Sequence, residues 1–214
     1  MRRKDVSAIA SGRGFVRFDE LARLILNRPP RLGPVRLVAV DGPSGAGKTV
    51  FADRLAAWLN APVVHTDDLL DGWADQFTFW TRLEETVLRP LGNGRAAEYR
   101  RYQWDRAGFG GPPVRIEPAG AVVMEGVSSA RRVIRPELSM AVFVIAPAEL
   151  CVQRVLDRDG GHDVAFAAYL ERWRRAEERH FAVDDTAAHA DLLVDGAAAG
   201  DDERYERLWR QLVD

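Results

Sequence analysis

Residues 40–51 read VDGPSGAGKTVF and place three glycines between two apolar segments. The segment before them, VRLVAV at 35–40, is a continuous aliphatic run of the length of one strand. Such a run is typical of a strand that is buried on both faces of a sheet. The segment after them, TVFADRLAAWL at 49–59, has helical periodicity. The stretch therefore predicts a strand, a tight glycine loop and a helix in direct succession.

The loop from Gly42 to Thr49 matches the pattern G-x-x-x-x-G-K-[ST] in full. Glycine permits the backbone conformations that aim successive N–H groups at an anion, and the following helix adds its positive end. In this pattern Lys48 reaches the β- and γ-phosphates and takes part in catalysis, while the Thr49 hydroxyl binds Mg²⁺. We therefore predict ATP and Mg²⁺ as ligands of a phosphate-binding loop (P-loop) that comprises Gly42, Ser44, Gly45, Ala46, Gly47, Lys48 and Thr49.

Two further apolar runs of the sequence have carboxylate residues at or just after their C-terminal ends. Asp67 and Asp68 come directly after the run at 62–65, and Glu125 lies near the end of the run at 120–127. Ligands of α/β proteins bind where the carboxyl ends of parallel strands meet. Asp67 there could accept a proton from an attacking hydroxyl or hold the water shell of a metal, and Glu125 could direct Mg²⁺. The alternatives are a helix cap for Asp68, or for both aspartates, and a solvated acid at a strand end for Glu125.

The remaining pattern predicts the architecture. Apolar runs at 140–147 and 190–196 bring the number of predicted buried strands to five, and most segments between strands have helical patterns. Residues 97–118 read instead as a β excursion, and residues 201–213 as a closing helix. Buried strands that alternate with helices indicate an α/β fold with a five-stranded parallel sheet flanked by helices.

Composition excludes several other classes of protein. The 214-residue chain has a formal net charge of −2 and no basic tail, which speaks against binding to nucleic acid or to a membrane surface. The single cysteine excludes an intrachain disulfide and favours a reducing compartment. Signal-peptide features and long apolar stretches are lacking in the sequence. We therefore expect a cytoplasmic protein that acts on a small molecule, and the composition leaves homo-oligomerisation open.

Six short segments, GPSGAGKT, TDDLL, YQW, VVMEGV, RVLDRD and ADLLVDG, occur in this order between about residues 35 and 196. In this order and spacing the chain resembles the uridine kinase group of P-loop nucleoside kinases. The resemblance implies transfer of the γ-phosphate of ATP to the 5′-hydroxyl of uridine or cytidine, with Asp67 as general base. It also implies a nucleoside/nucleotide kinase-like P-loop fold with a small lid, and nucleoside contacts from the segment Tyr102-Gln103-Trp104.

The chain departs from this family at three places. The family's Asp-Ser-Phe-Tyr stands here as Asp67-Asp68-Leu69-Leu70, so that an aromatic wall is lost. Gln103 replaces an acid, and the arginine-rich continuation of the lid is missing after Asp159. We expect these changes to leave the kinase chemistry intact and to affect the choice of acceptor.

Other side chains are candidates for the lid and for the acceptor. Arg154 and Arg158 lie one helical turn apart before Gly160 and Gly161, where a closing lid could bring them to phosphate. The alternative for these arginines is a solvated helix face. Acceptor contacts are predicted for Asp68, Tyr102, Trp104 and Arg106, the last three of which could instead be plain strand residues. Helical patterns predict core positions for Trp58, Trp80, Trp173 and Trp209.

The predicted organisation is an N-terminal helical extension over 1–34 and a P-loop kinase domain over 35–214, with the lid at about 154–172. The predicted function is ATP- and Mg²⁺-dependent phosphorylation of a small-molecule hydroxyl. A GTPase is disfavoured because IAPAELC, and not a guanine-binding N-K-x-D motif, follows the fourth predicted strand. Another small-molecule or nucleoside monophosphate kinase, and an ATP-binding regulatory protein without transferase activity, remain as alternatives.

Overall fold

A computed structural model describes residues 13–160, 164–198 and 200–208 of the chain. The strands within these ranges are β1 Arg13–Arg17, β2 Arg36–Asp41, β3 Val63–His65, β4 Ala97–Gln103, β5 Gly108–Ile116, β6 Ala121–Glu125, β7 Leu138–Ile145, β8 Leu192–Asp195 and β9 Arg204–Leu208. The helices are α1 Phe18–Leu26, α2 Lys48–Leu59, α3 Trp80–Leu83, α4 Arg89–Gly92, α5 Ala148–Val155, α6 Val164–Asp184 and α7 Thr186–His189. A π turn, Glu84–Leu88, joins α3 to α4, and a second one, Leu156–Gly160, continues α5.

The central sheet has the strand order β1-β9-β8-β7-β2-β6-β3. Five neighbouring strands, from β8 to β3, are parallel, and they correspond to the five apolar runs of the sequence. The prediction of a five-stranded parallel sheet is nevertheless wrong, because the described residues form a seven-stranded sheet of mixed orientation. β9 is antiparallel to β8, and β1 is antiparallel to β9.

Both faces of the sheet are buried. Along β2 the side chains of Val38 and Val40 join a core cluster with α1, α2 and α5, whereas Leu37 and Ala39 join a second cluster on the opposite face. This alternation follows from the period of two in a strand and explains why the run at 35–40 is apolar throughout. No helix within the described ranges combines the length and the apolar character that a membrane span requires.

The N-terminal segment packs against the rest of the sheet. Residues 13–34 contain β1 as well as helix α1, whose buried face carries Phe18, Leu21 and Ile25. The ring of Phe18 lies 5.2 Å from that of Phe51 on α2 and 5.0 Å from that of Tyr205 on β9, measured between centroids. These contacts place α1 in the same hydrophobic core as the P-loop helix.

The closing helix predicted over 201–213 is wrong for its described part, because residues 204–208 form strand β9. Tyr205 and Leu208 are buried there, three residues apart, which is a spacing that a helix would also give. β9 pairs with β8 on one side and β1 on the other, so that tertiary hydrogen bonds override the local helical preference. Trp209 and residues 210–213 lie outside the described residues.

The predicted β excursion is an antiparallel hairpin of β4 and β5 that forms a separate two-stranded sheet. The hairpin ends in a turn at residues 104–107 and stands beside the carboxyl edge of the central sheet. Arg101 on β4 forms an ion pair with Asp68, at 3.0 Å, and thereby connects the hairpin to the segment after β3.

Candidate active site

The P-loop connects β2 to α2 and depends on glycine for its shape. Gly42, Gly45 and Gly47 have φ angles of 142°, 79° and 97°, a region that other residues rarely adopt. A Cβ atom on Gly42 would lie 2.2 Å from the carbonyl oxygen of Val144, and one on Gly45 would lie 2.3 Å from that of Cys151. The neighbouring backbone therefore leaves no space for a side chain at either position.

Lys48 and Thr49 begin helix α2 at the inner side of the loop. The Lys48 side chain is largely buried, and its ammonium group donates a hydrogen bond to the carbonyl oxygen of Pro43, at 3.0 Å. The Thr49 hydroxyl donates to Glu125 Oε1 at the end of β6, at 3.3 Å. Hydroxyl and carboxylate oxygens are ligands that suit Mg²⁺, so the predicted pair of Thr49 and Glu125 fits this ion chemically. Within the described ranges, no group of three or more His, Cys, Asp or Glu residues is arranged to hold a metal.

His65 is a partner of Glu125 that the sequence analysis missed. Its Nδ1 atom lies 2.7 Å from Glu125 Oε1, and this hydrogen bond raises the pKa of His65. The two residues end the neighbouring strands β3 and β6, which places them side by side. Gly126 follows with a φ of 139°, and a Cβ atom there would lie 1.8 Å from Thr66 Oγ1. Glycine at position 126 is thus favoured both by its φ angle and by the close approach of the segment after β3.

Asp67 and Asp68 lie on a 3-10 turn, Thr66–Leu69, directly after β3. The Asp67 side chain is accessible from the cleft, and none of the described residues hydrogen-bonds to its carboxylate. Surrounding protein nevertheless reduces its hydration and raises the pKa of Asp67 above the ordinary value, an effect that the charge of Lys48 opposes. Asp68 points to the hairpin instead, where it pairs with Arg101 and accepts a hydrogen bond from Tyr99, at 3.4 Å. Neither side chain caps the 3-10 turn.

Asp41 is a buried acid at the end of β2 that the sequence analysis also missed. One carboxylate oxygen accepts hydrogen bonds from the backbone N–H groups of Gly42 (2.7 Å) and Ser128 (2.9 Å), and the other accepts one from Ala130 (2.9 Å). Burial raises the pKa of Asp41 to about 6. These bonds tie the start of the P-loop to the segment that follows β6.

Glu177 on α6 contacts the P-loop from the other side, and its side chain is only 3% exposed. It accepts hydrogen bonds from the Ser44 hydroxyl (2.5 Å) and the Trp173 indole (2.8 Å), and a longer one from the Ser44 backbone N–H (3.3 Å). The spacing of four residues between Trp173 and Glu177 places both side chains on one face of the helix. The four-residue spacing could therefore have predicted from the sequence that Trp173 and Glu177 lie together. No local feature of the sequence predicts that Ser44 is their partner.

A cleft of about 460 Å³ opens beside the loop. The polar part of its wall comes from the P-loop, from the segment after β3 and from the π turn that continues α5. The charged and hydroxyl-bearing residues there are Ser44, Asp67, Arg158 and Asp159. The rest of its wall is apolar, and its aromatic residues are Trp73, Trp104, Phe166, Tyr169 and Trp173. Trp173, which was predicted as a core residue, is half-buried and packs against the second core cluster, as Trp80 does, and it also lines this cleft. Trp58 is 42% exposed, so the core prediction fails there.

The other predicted residues are distributed around this cleft. Arg154 donates hydrogen bonds to the carbonyl oxygens of Gly45 (3.1 Å) and Gly196 (3.0 Å), so it braces the loop from α5. Arg158 lines the cleft and bonds to Asp159 through two nitrogens, at 2.7 and 2.6 Å. Gly161, the second residue of the predicted hinge, lies outside the described residues.

The hairpin residues differ in their placement. Trp104 lines the cleft, and Tyr102 packs against it with ring centroids 5.0 Å apart. Arg106 is exposed at the hairpin turn, lies 3.7 Å from Asp105 and is not among the residues that line the cleft. Of the three hairpin residues predicted to contact the acceptor, only Trp104 therefore faces the cleft directly.

A second cavity of about 380 Å³ reaches the loop at Gly47. Arg154 and Gly196 line it, as do Phe51 and Tyr205 from the core cluster of α1, α2 and β9. The P-loop is therefore bordered by two separate cavities, one at Ser44 and one at Gly47.

The fold is shared with solved structures of P-loop kinases. A proposed uridine kinase from Bacillus stearothermophilus superposes with a TM-score of 0.60 and 19% identity, covering 82% of this chain and 96% of its own. A proposed fructose transport system kinase from Silicibacter sp. TM1040 gives a TM-score of 0.63 and 20% identity, covering 82% and 98%. At these identities the likeness establishes the α/β fold with its mostly parallel central sheet.

Sequence comparison finds one curated relative, an inorganic pyrophosphatase of Arabidopsis thaliana, that is 31% identical over 133 residues. The match includes 56% of this chain, but the chain spans only 19% of the length of that relative. No protein-family model matches the sequence.

Proposed function

We propose that this protein is an ATP- and Mg²⁺-dependent kinase that transfers the γ-phosphate to a hydroxyl group of a small molecule. One observation carries the proposal: the accessible carboxylate of Asp67 and the P-loop residue Ser44 line the same cleft. An acceptor hydroxyl in that cleft would lie between a general base and a phosphate-binding loop. The resemblance to uridine kinases makes the 5′-hydroxyl of uridine or cytidine the leading acceptor.

Each residue of the site would then have a defined task. The backbone N–H groups of the loop and the ammonium group of Lys48 would bind the phosphates and stabilise the charge on the transferring group. Asp67 would accept the proton of the attacking hydroxyl. Thr49 and Glu125 would hold Mg²⁺, which neutralises phosphate charge when bound.

The two cavities at the P-loop suit a reaction with two substrates. The cleft at Ser44 contains the candidate base and would take the acceptor, whereas the cavity at Gly47 would take the nucleoside part of ATP. Arg154 lines the cavity at Gly47 and holds the loop through the carbonyl oxygen of Gly45. Its role is thus to position the loop, and Arg158 is the better candidate for a cation that reaches the transferring phosphate.

Pyrophosphate hydrolysis is a second candidate, favoured by the partial similarity to the plant pyrophosphatase. In that reaction water would replace the acceptor hydroxyl. The wall of the cleft at Ser44 favours an organic acceptor over water, because its five aromatic rings can bury apolar surface that neither water nor pyrophosphate has. A regulatory protein that binds ATP without transferring phosphate is the third candidate.

A panel assay separates the three candidates. ADP formation is measured with uridine, cytidine, nucleoside monophosphates, sugar acids or no acceptor, and phosphate release is measured separately with pyrophosphate. A kinase forms ADP only with particular hydroxyl compounds and loses this activity in Asp67→Asn. Hydrolysis of pyrophosphate alone would favour the second candidate, and ATP binding without turnover under any condition would favour the third.

A further inference from the structure

The wall of the acceptor cleft changes in chemical character along its length. Its polar end is at the P-loop. The series of aromatic rings begins there with Trp173, because the indole nitrogen of Trp173 lies 3.2 Å from Ser44 Oγ. Trp73 follows, with its ring centroid 5.7 Å from that of Trp173 and 4.5 Å from that of Trp104 on the hairpin. The rings therefore form a continuous series that leads from the P-loop to the hairpin turn.

Trp73 lies at the centre of this series. Its ring also contacts Tyr169, with centroids 5.0 Å apart, and Phe166, at 6.0 Å. Trp73 and Trp104 are 44% and 41% exposed although they are large aromatic residues. Part of their ring surface therefore faces the open cleft and is available to a ligand.

Few polar groups are present at the aromatic end. The Tyr169 hydroxyl donates to the backbone oxygen of Trp73, at 3.1 Å, and the Trp173 indole is bonded to Ser44 and Glu177. Among the described residues that line the cleft, only Asp67, Arg158 and Asp159 have a carboxylate or a guanidinium group, and the aromatic part of the wall contributes neither of these groups nor a side-chain amide. This part of the wall can bury flat apolar surface but offers few partners to a hydrogen-bonding edge.

We propose, on the basis of the kinase function inferred above, that the acceptor is an alcohol with a flat, weakly polar ring system. The ring would be held by stacking and apolar contact with Trp73 and Trp104, with its hydroxyl directed to Asp67 at the P-loop end. A nucleoside would then be recognised through the faces of its base and not through its polar edge. Polyols and sugar acids would be rejected, because each buried hydroxyl without a partner lowers affinity by roughly tenfold.

Calorimetric titration of the full chain tests this inference without requiring turnover. The probes are 2-(1-naphthyl)ethanol, uridine, choline and xylitol, which offer respectively a flat apolar ring, a ring with a polar edge, an organic cation and a polyol. We expect naphthylethanol to bind at least as tightly as uridine, and choline and xylitol to bind at least tenfold more weakly than naphthylethanol.

Substitution identifies the surface that is used. Trp73→Ala and Trp104→Ala should each weaken binding of naphthylethanol by roughly 5- to 100-fold, the range for loss of one stacking partner. Trp58→Ala is the matched control, since Trp58 is equally exposed on α2 and its indole bonds to Asp202, at 3.0 Å. Its binding should equal that of the unsubstituted protein, and circular dichroism of all three variants shows whether each is folded.

Three results would overturn the inference: uridine binding at least tenfold more tightly than naphthylethanol, choline or xylitol as the preferred probe, or unchanged naphthylethanol affinity in the folded Trp73 and Trp104 variants. The proposed kinase function fails by a different result. If the ring probes bind as expected but no hydroxyl compound yields ADP, the ring-binding cleft stands and the transferase activity does not.

Discussion

Lys48 is the cation within the P-loop sequence itself, and in this structure it donates a hydrogen bond to the carbonyl oxygen of Pro43. Replacement by alanine removes the charge that stabilises the transferring phosphoryl group, and transfer should fall by roughly 10²- to 10³-fold. The measurement is the rate of ADP formation with the best acceptor of the panel, with circular dichroism as the check on folding. A folded Lys48→Ala protein with near-normal turnover would contradict the role of the P-loop.

Asp67 and Asp68 are adjacent carboxylates with different surroundings, and this makes them a matched pair. Asp67→Asn retains size and shape but cannot accept a proton, so turnover should fall by roughly 10²- to 10⁴-fold. Asp68→Asn should have a milder effect, because Asp68 is already bonded to Arg101 and Tyr99. ATP affinity, measured by calorimetry, should change little in either variant. A larger loss of turnover in the Asp68 variant would place the base one residue later.

The pH dependence of turnover gives a second test of Asp67. A general base must be ionised, and the reduced hydration of Asp67 raises its pKa above the ordinary value. Turnover should therefore decline with falling pH, and the decline should begin at a higher pH than for a fully hydrated aspartate. The residual activity of Asp67→Asn should lack this decline. An identical acidic limb in both proteins would assign it to another group.

The candidate site residues that could be predicted from the sequence are those with a local signature. Gly42, Lys48 and Thr49 are fixed by one contiguous pattern, and Asp67 follows directly from a strand end. Asp41 and Glu177 have no such signature. Each owes its position to backbone or side chains far away in sequence, at Ser128 and Ser44 respectively. Residues 164–181 have a helical pattern in the sequence, but that pattern could not indicate that the aromatic residues of the helix would line a cleft.

Among the elements, α6 is the one that connects the acceptor cleft to the P-loop. It supplies Tyr169 and Trp173 to the cleft and, one turn later, the buried Glu177 to Ser44. Glu177→Ala removes the acceptor of the Ser44 hydroxyl and one of the two acceptors of the Trp173 indole N–H, a loss of about 1–3 kcal/mol of stability. For a chain of this length the Tm should fall by about 2–10 °C.

Glu178 provides the control for this prediction. It is the next residue on the same helix and is exposed, and its one ion pair with a described residue is a long contact to Arg174, at 3.7 Å. Glu178→Ala removes the same charge but should shift the Tm by about 1 °C at most, because surface ion pairs contribute little. Equal shifts of the Tm in the two variants, measured by scanning calorimetry, would mean that the contact between Glu177 and the P-loop contributes no more to stability than a surface ion pair.

The strands differ in how well the sequence predicted them. β2, β6 and β7 are buried on both faces and therefore appear as unbroken apolar runs. β1 at the edge of the sheet and β9 beside it lack such runs. β9 has two polar residues between its buried Tyr205 and Leu208, a spacing that a helix would also give, and β1 alternates half-buried and exposed residues over 14–17. Long-range pairing, of residues 13–17 with 204–208 and of β9 with β8, determines their conformation.

At the scale of the whole molecule, the P-loop begins α2, whose buried face packs on the parallel sheet and on α1. A ligand that binds this loop therefore binds a structure that exists only in the folded chain, and its binding free energy adds to the stability of the whole molecule. Global stability can thus report on the loop even when no acceptor is known.

ATP with Mg²⁺ should raise the Tm of the protein. At a concentration about 100 times the Kd, ligand binding contributes about 2.7 kcal/mol, which corresponds to a rise of about 5–10 °C for a domain of this size. Part of the rise should require Mg²⁺, and Thr49→Ala should reduce that part, because the Thr49 hydroxyl and Glu125 are the oxygen donors that meet beside the loop. Thr86→Ala, a threonine whose hydroxyl bonds within its own helix segment, at 2.7 Å to the Arg82 carbonyl oxygen, serves as control and should keep the full effect. If Mg²⁺ makes no difference to the ATP-induced shift of either the unsubstituted protein or Thr49→Ala, then Thr49 and Glu125 do not form a metal site and the nucleotide is bound through the loop amides and Lys48 alone.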